Sequence, residues 1–255
     1  MKLLSFLKEK KAQDLDAPST TLQHRDIILR KKFLKKLYIH WYSSMLRATE
    51  GLPEGKIVEI GSGGGFLKEL NPTVITSDIL PFPHCDLTFS GEQMPFGDNE
   101  LSAILMIDVL HHIPDCKSFF REAQRVLKPG GKIIMIEPAN TSFSRFIFQN
   151  FHHENFDPKT ESWSFPTSGP LSGANGALPW IIFTRDYAKF KLEFSYFSKE
   201  KIKHHTPFAY LISGGLTYKS PLAGWMFRPF RWFETMLTPF NRYLAMFQTI
   251  VVVKK

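Results

Sequence analysis

"IVEIGSGGGFL", residues 57–67, decides the reading of this chain. A short apolar run meets an acid, Glu59, and then four glycines within five residues: Gly61, Gly63, Gly64 and Gly65, with Ser62 among them. Strand, glycine-rich turn and helix in succession is how an open α/β sheet makes a nucleotide site at the carboxyl ends of its strands. Glycine lets the backbone approach a ligand and take positive φ. The dinucleotide fingerprint G-x-G-x-x-G fails in both registers. From Gly61 its third glycine falls on Phe66, and from Gly63 it falls on Lys68. The pattern that fits is acid-x-G-x-G-x-G, on Glu59, Gly61, Gly63 and Gly65.

Working outward, "KIVEI" predicts a buried parallel strand and "FLKEL" a short helix closed by Asn71-Pro72. "TVITSDI" predicts a second strand ending at Asp78, and "LSAILMIDVL" a third that runs into "HHIPD". "SFFREAQRVL" predicts a helix stopped by "KPGG", and "KIIMIEP" another strand. This alternation means a parallel sheet with crossover helices. The N-terminal residues 22–47 carry Ile27, Ile28, Phe33, Leu34, Leu37 and Trp41 at helical spacing, with Lys31, Lys32, Lys35 and Lys36 on the opposite side. One or two amphipathic helices are expected there, before the break at "GLPEGK". Residues 162–184 hold no charged residue and are rich in Gly, Pro and Ser, which predicts a loop. "TRDYAKFKLEF" predicts a helix capped by Thr184, and "QTIVVVKK" a final strand.

The strand–turn–helix pattern resembles the first motif of class I S-adenosylmethionine-dependent methyltransferases. Asp78, 17 residues after Gly61, matches the family's ribose-binding acid, with Ile79 beside it. "CDLTF" resembles the adenine-contacting segment, with Asp86 at the exocyclic amine and Leu87 against the ring. "GEQMPFGDNELSAILMIDVLHHIPD" and "REAQRVLKPGGKIIMIEP" resemble the later blocks of the type 11 methyltransferase domain, over roughly residues 55–139. The resemblance implies a Rossmann-like doubly wound α/β fold, with a mostly parallel seven-stranded sheet and an antiparallel last strand. It implies S-adenosyl-L-methionine as cofactor, held by Glu59, Gly61, Ser62, Gly63, Gly65, Asp78, Ile79, Asp86, Leu87 and Asp108. The expected organisation is an N-terminal extension, 1–50, followed by the methyltransferase domain, 51–255. Within that domain lie a cofactor core at 55–140, a substrate-capping insertion at 141–245 and a last strand at 246–253.

Methyl transfer from a sulfonium is an in-line displacement in which the protein mainly aligns the nucleophile, with a base where the acceptor is a hydroxyl. His111 and His112, after the strand that ends near Asp108, are the candidate bases, and Glu137 ends the next strand. His152, His153 and Glu154 read as a surface loop. The adjacent His-His pairs lack the i, i+4 spacing of ligands on one helix face, so no metal site is expected.

Charge is uneven. Residues 1–50 carry 11 Lys+Arg against 5 Asp+Glu, residues 51–140 carry 7 against 12, and residues 141–255 carry 14 against 7. Basic flanks suit nucleic acid or anionic lipid. The chain shows no RNA-binding module or aromatic RNP pattern, which disfavours an RNA or protein acceptor and leaves a small-molecule, glycan or lipid-linked one. A non-catalytic cofactor-binding protein is the third reading. Trp163, Phe165 and Trp180 suggest a lid, and the Arg- and aromatic-rich stretch 225–242 suggests an interfacial segment. Two cysteines, no cleavable leader and no run of eighteen apolar residues predict a cytoplasmic protein, peripheral at most to the inner membrane.

Overall fold

The computed structural model describes residues 9, 14, 16–152, 154–166, 169, 173–220 and 222–255. Its sheet has seven strands: β1 (Lys56–Ile60), β2 (Ile75–Asp78), β3 (Leu87–Thr88), β4 (Leu101–Ile107), β5 (Leu127–Pro138), β6 (Phe197–His205) and β7 (Phe247–Lys254), in the order β3-β2-β1-β4-β5-β7-β6. The first five run parallel. β7 is antiparallel to both of its neighbours, β5 and β6. The order reverses between β1 and β4, and the crevice for a ligand lies at the carboxyl ends of those strands.

β4 is buried along nearly its whole length, because helices cover both faces. α4 (Cys116–Val126) turns Cys116, Phe119, Phe120, Ala123 and Val126 inward at helical spacing, and Asp115 caps it by accepting from Lys117 N–H at 2.9 Å. α5 (Ser142–Phe151) starts with a capping box made by Thr141 and Ser144. α3 (Leu67–Leu70) is a single turn, as Asn71-Pro72 predicts.

The N-terminal region forms α1 (Pro18–Arg30) and α2 (Lys32–Ala48), and it is part of the core. Phe33, Leu34, Leu37, Trp41, Tyr42 and Met45 of α2 are buried. Lys31, expected on the solvent side, is instead buried at the α1–α2 junction. Its ammonium donates to the carbonyls of Gly215, at 2.8 Å, and Tyr218. It also lies 3.3 Å from Glu9. Carbonyl and carboxylate partners offset the cost of taking that charge out of water.

Three other expectations change. The segment 162–184 is not all loop: Leu178–Trp180 forms α6 and passes into a π-helical turn, Ile181–Arg185, closed by Asp186 N–H to Ile181 O at 2.7 Å. Ile181, Ile182 and Phe183 are buried, and this packing overrides the Gly/Pro composition before them. Thr184 lies inside that turn and caps nothing; α7 (Tyr187–Glu193) follows Asp186. Trp163 is core rather than lid, 2% exposed, with its indole N–H on Asp186 at 3.0 Å. Phe165 and Trp180 pack partly buried against the same core.

β6 escaped the sequence reading because its central run, Lys199–Lys203, is mostly charged. It is an edge strand, and lysine on an edge discourages pairing with other chains. α8 (Ala209–Ile212), α9 (Phe227–Met236) and α10 (Asn241–Leu244) complete the α-helices among the described residues.

Candidate active site

The carboxyl ends of β1, β2 and β4 open on a cavity of about 450 Å³. The size is typical of a small-molecule site. Gly61 takes φ +75, which glycine alone adopts without strain, and a Cβ there would strike Val109. Gly63 is packed too closely for any side chain: a Cβ would lie 2.6 Å from Thr21 Cγ2 and 2.7 Å from both Asp78 Oδ2 and the Phe82 ring. A Cβ at Gly65 would overlap the Tyr42 hydroxyl. The bare backbone is therefore required by neighbours on α1, α2 and the β2 loop as well as by access to the cavity.

Asp78, at the end of β2, accepts from Gly63 N–H and from Leu80 N–H, each at 3.0 Å. One bond fills one lone pair on each oxygen and leaves others toward the cavity that Asp78 lines. Glu59 also lines it, yet is only 2% exposed. Ser62 Oγ donates to Glu59 at 2.7 Å. Burial pushes the Glu59 carboxyl up to about 7, against the lowering effect of Ser62, Tyr42 and Arg25. Asp78 is also raised, again by burial. A buried acid at the turn and a half-buried acid at β2 fit a ligand with a cationic amino-acid end and a vicinal diol.

The adenine-side expectation is corrected. Asp86 faces solvent, where Lys68 pairs with it, and its Oδ2 accepts from Thr76 N–H at 2.9 Å and Thr76 Oγ1 at 3.0 Å. Neither Asp86 nor Leu87 lines the cavity; Phe89, Ser90 and Gly91 do. Ile79 lines it as expected and is 51% exposed. Sequence reading also missed a whole wall: Thr20, Thr21, His24, Ile27 and Ile28 of α1 face the same cavity. The only signal for them was the amphipathic pattern itself, which does not say what the apolar face covers.

At the end of β4 the chain turns through Asp108, at φ +62, into a 3₁₀ turn, Leu110–His112. Glu137, fully buried at the end of β5, holds that turn. It accepts from Val109 N–H at 3.0 Å, Leu110 N–H at 2.7 Å and His111 Nδ1 at 2.7 Å. His111 is completely buried and does not reach the cavity, whereas Asp108 and His112 line it. His112 Nδ1 donates to Gly173 O at 3.3 Å. Glu154, read as surface loop, comes in against both rings, 3.4 Å from His111 Nε2 and 3.7 Å from His112 Nε2. His153 lies outside the described residues. Burial opposes charge on His111, but Glu137, Glu154 and Asp108 outweigh it and hold the ring well above the usual histidine range. His112 is pushed down to about 4 by burial and by His111. Burial raises Asp108, while the histidines around Glu154 hold that acid low.

Residues 58–135 match the family model described as a methyltransferase domain, type 11. The chain is 31% identical over 108 residues to a demethylmenaquinone methyltransferase of Symbiobacterium thermophilum, a match covering 41% of each chain. It is 35% identical over 71 residues to the ubiquinone/menaquinone biosynthesis C-methyltransferase UbiE of Rickettsia bellii, covering 28% of this chain and 29% of that protein. The chain thus spans less than half the length of these curated relatives. Its fold is similar to that of a geranyl diphosphate C-methyltransferase from Streptomyces coelicolor A3(2), solved with Mg2+, geranyl diphosphate and S-adenosyl-L-homocysteine. That likeness has a TM-score of 0.51 at 12% identity, over 87% of this chain and 81% of that one. Residues 58–135 thus carry the likeness to methyltransferase domains, and the 3-2-1-4-5-7-6 sheet with the glycine turn at its switch point is the class I, S-adenosylmethionine-dependent methyltransferase fold.

Proposed function

We propose that this chain transfers a methyl group from S-adenosyl-L-methionine to an apolar, lipid-like small molecule at a membrane surface. The observation that carries the methyltransferase reading is the pairing of Glu59 and Asp78 on either side of the Gly61–Gly65 turn, at the mouth of one cavity. In this reading Glu59 takes the ligand's ammonium, Asp78 its ribose hydroxyls, and Ile79 with Phe89–Gly91 its adenine. The cofactor supplies an electrophilic methyl on a sulfonium. The chain's own residues orient the acceptor and exclude water. Ile27, Ile28 and Tyr38 wall the cavity on one side, and Asp108, His112 and Glu154 make its polar corner. Of the two histidines only His112 lines the cavity, so contact with the acceptor falls to it.

An apolar acceptor is supported by the exposed aromatic side chains of the C-terminal half. Trp225, 74% exposed, and Trp232, 66% exposed, stand out from the α9 region with Phe233 and Met236. Phe240 and Tyr243 are exposed near α10, and Phe146 and Phe151 on α5, which packs beside α10. Exposed Arg145, Arg228 and Arg242 lie on the same elements. Aromatic side chains bordered by arginine suit the headgroup boundary of an anionic bilayer. No described helix is long and apolar enough to cross a membrane. The relatives named for quinone methylation give the reading its chemical class, a ring carried on an apolar chain.

Calorimetric titration with S-adenosylhomocysteine tests the first step. Micromolar binding that Asp78→Ala weakens at least about tenfold, or about 1.4 kcal/mol, is expected. A folded wild-type protein that binds neither S-adenosylhomocysteine nor S-adenosylmethionine overturns the reading.

A further inference from the structure

The corner made by His111, His112 and Glu154 has a feature that methyl transfer does not explain. Both imidazoles are fixed at Nδ1 by acceptors. The Glu137 carboxylate faces His111 Nδ1 at 2.7 Å, and the Gly173 carbonyl faces His112 Nδ1 at 3.3 Å. A carbonyl oxygen cannot donate and an ionised carboxylate does not, so each Nδ1 carries the hydrogen. Each ring is thereby left with Nε2 as the atom that can take a further cation, a proton or a metal ion. Both Nε2 atoms point at one carboxylate, Glu154, at 3.4 and 3.7 Å. His111 Nε2 is buried and makes no hydrogen bond. The three ligand atoms lie within 4.8 Å of one another. Two imidazole nitrogens and a carboxylate this close together call for a cation among them, a proton or a metal ion.

We propose that His111 Nε2, His112 Nε2 and the Glu154 carboxylate form a binding site for one divalent transition-metal ion, whose open coordination positions face the cavity. The spacing suits it. Ligands about 2.1 Å from a tetrahedral ion stand about 3.4 Å apart, close to the separations of His111 Nε2 from Glu154 Oε2, 3.4 Å, and of His112 Nε2 from Oε1, 3.7 Å. Two histidines and one carboxylate leave room for outside ligands, as catalytic sites do and structural sites do not. The surroundings match a metal's outer shell: a carboxylate on one histidine and a backbone carbonyl on the other fix both tautomers. Glu137 is itself held by the Val109 and Leu110 N–H groups, so the His111 ring is set by the backbone of its own turn. The i, i+1 spacing that argued against a metal is overcome because a 3₁₀ turn, not an α-helix face, presents the two rings to a residue 42 positions later. The ligand class is Zn2+ or a similar ion with nitrogen and oxygen preference. The open positions would take an oxygen of the acceptor, an enol, phenol or carbonyl. That last role rests on the methyltransferase reading, whereas the metal site does not.

The test uses the full chain, stripped with chelator and titrated separately with Zn2+, with Co2+ and with S-adenosylhomocysteine. One equivalent of metal is expected, with the visible absorption of low-coordinate Co2+. His112→Ala and Glu154→Gln should each weaken metal binding by at least about tenfold. Circular dichroism confirms that each variant is folded, and if one is not, the other decides. Absence of stoichiometric Zn2+ and Co2+ binding by folded wild type overturns the proposal and leaves a proton as the cation of this corner. Binding that survives both substitutions overturns it too, because the ion then sits elsewhere. Binding of S-adenosylhomocysteine without metal removes the metal site alone, and metal binding without S-adenosylhomocysteine removes the cofactor reading alone.

Discussion

Glu59 shows how one buried acid ties stability to function. Its carboxyl is raised from 4.5 to about 7, so between those values the folded protein holds a proton that the unfolded chain has lost. Stability from this group is therefore full below about pH 4.5 and falls as pH rises through 7, by about 3 kcal/mol in all. Thermal melts of Glu59→Gln should lack that fall and exceed wild type at pH 8. A bound ammonium favours the carboxylate, so cofactor binding near pH 7 should release part of a proton. Calorimetry in two buffers of different ionisation enthalpy reads this directly, and equal heats in both would count against Glu59 as the ammonium's partner. Gly63→Ala places a methyl against Asp78, Thr21 and Phe82 together, and should lose about 1–3 kcal/mol of stability along with cofactor affinity. That Glu59, Gly61 and Asp78 share one cavity was legible in the sequence, because the strands and the turn between them fix their positions. Asp86 was misread because its partner, Lys68, is set by tertiary placement. Glu154 was invisible because nothing in its local sequence points to His111 and His112, 43 and 42 positions earlier.

At the scale of elements, α8 and α9 are held to one another by a single acid. Glu234 of α9, 2% exposed, accepts from Phe208 N–H at 2.8 Å and Ala209 N–H at 2.7 Å and pairs with Arg231. Phe208 and Ala209 begin α8, and their N–H groups have no carbonyl within the helix to meet. Glu234→Ala leaves one buried and one part-buried donor without an acceptor and leaves Arg231 only its contact with His40, and should destabilise the protein by about 2–4 kcal/mol. Glu234→Gln keeps an acceptor oxygen and should cost less. Chemical denaturation measures both, and equal losses would mean that charge, not the acceptor, matters. The central strands and α4 were legible because their apolar periods agree with their burial. β6 and the π-helical turn were not, because an edge position and long-range packing decide them rather than local composition.

For the whole molecule, the basic charge outside the α1–α2 region is spread over α7, β6 and a second face, the one that carries α9 and α10 with Arg228 and Arg242. If that second face meets a bilayer, vesicles of anionic lipid should bind the chain, salt should weaken the binding, and Trp225→Ser with Trp232→Ser should remove most of it. Neutral vesicles provide the contrast. Sedimentation with vesicles reads all three, and binding unchanged by the double substitution would rule out this face. The sheet order carries a different consequence. β7 lies between β5 and β6 yet is made after both. While the chain emerges from the ribosome, β5 offers an unpaired edge and β6 has no neighbour until about fifty further residues have been made. The basic charges along β6 are then of most use before folding ends, when they keep a waiting strand from pairing with another nascent chain.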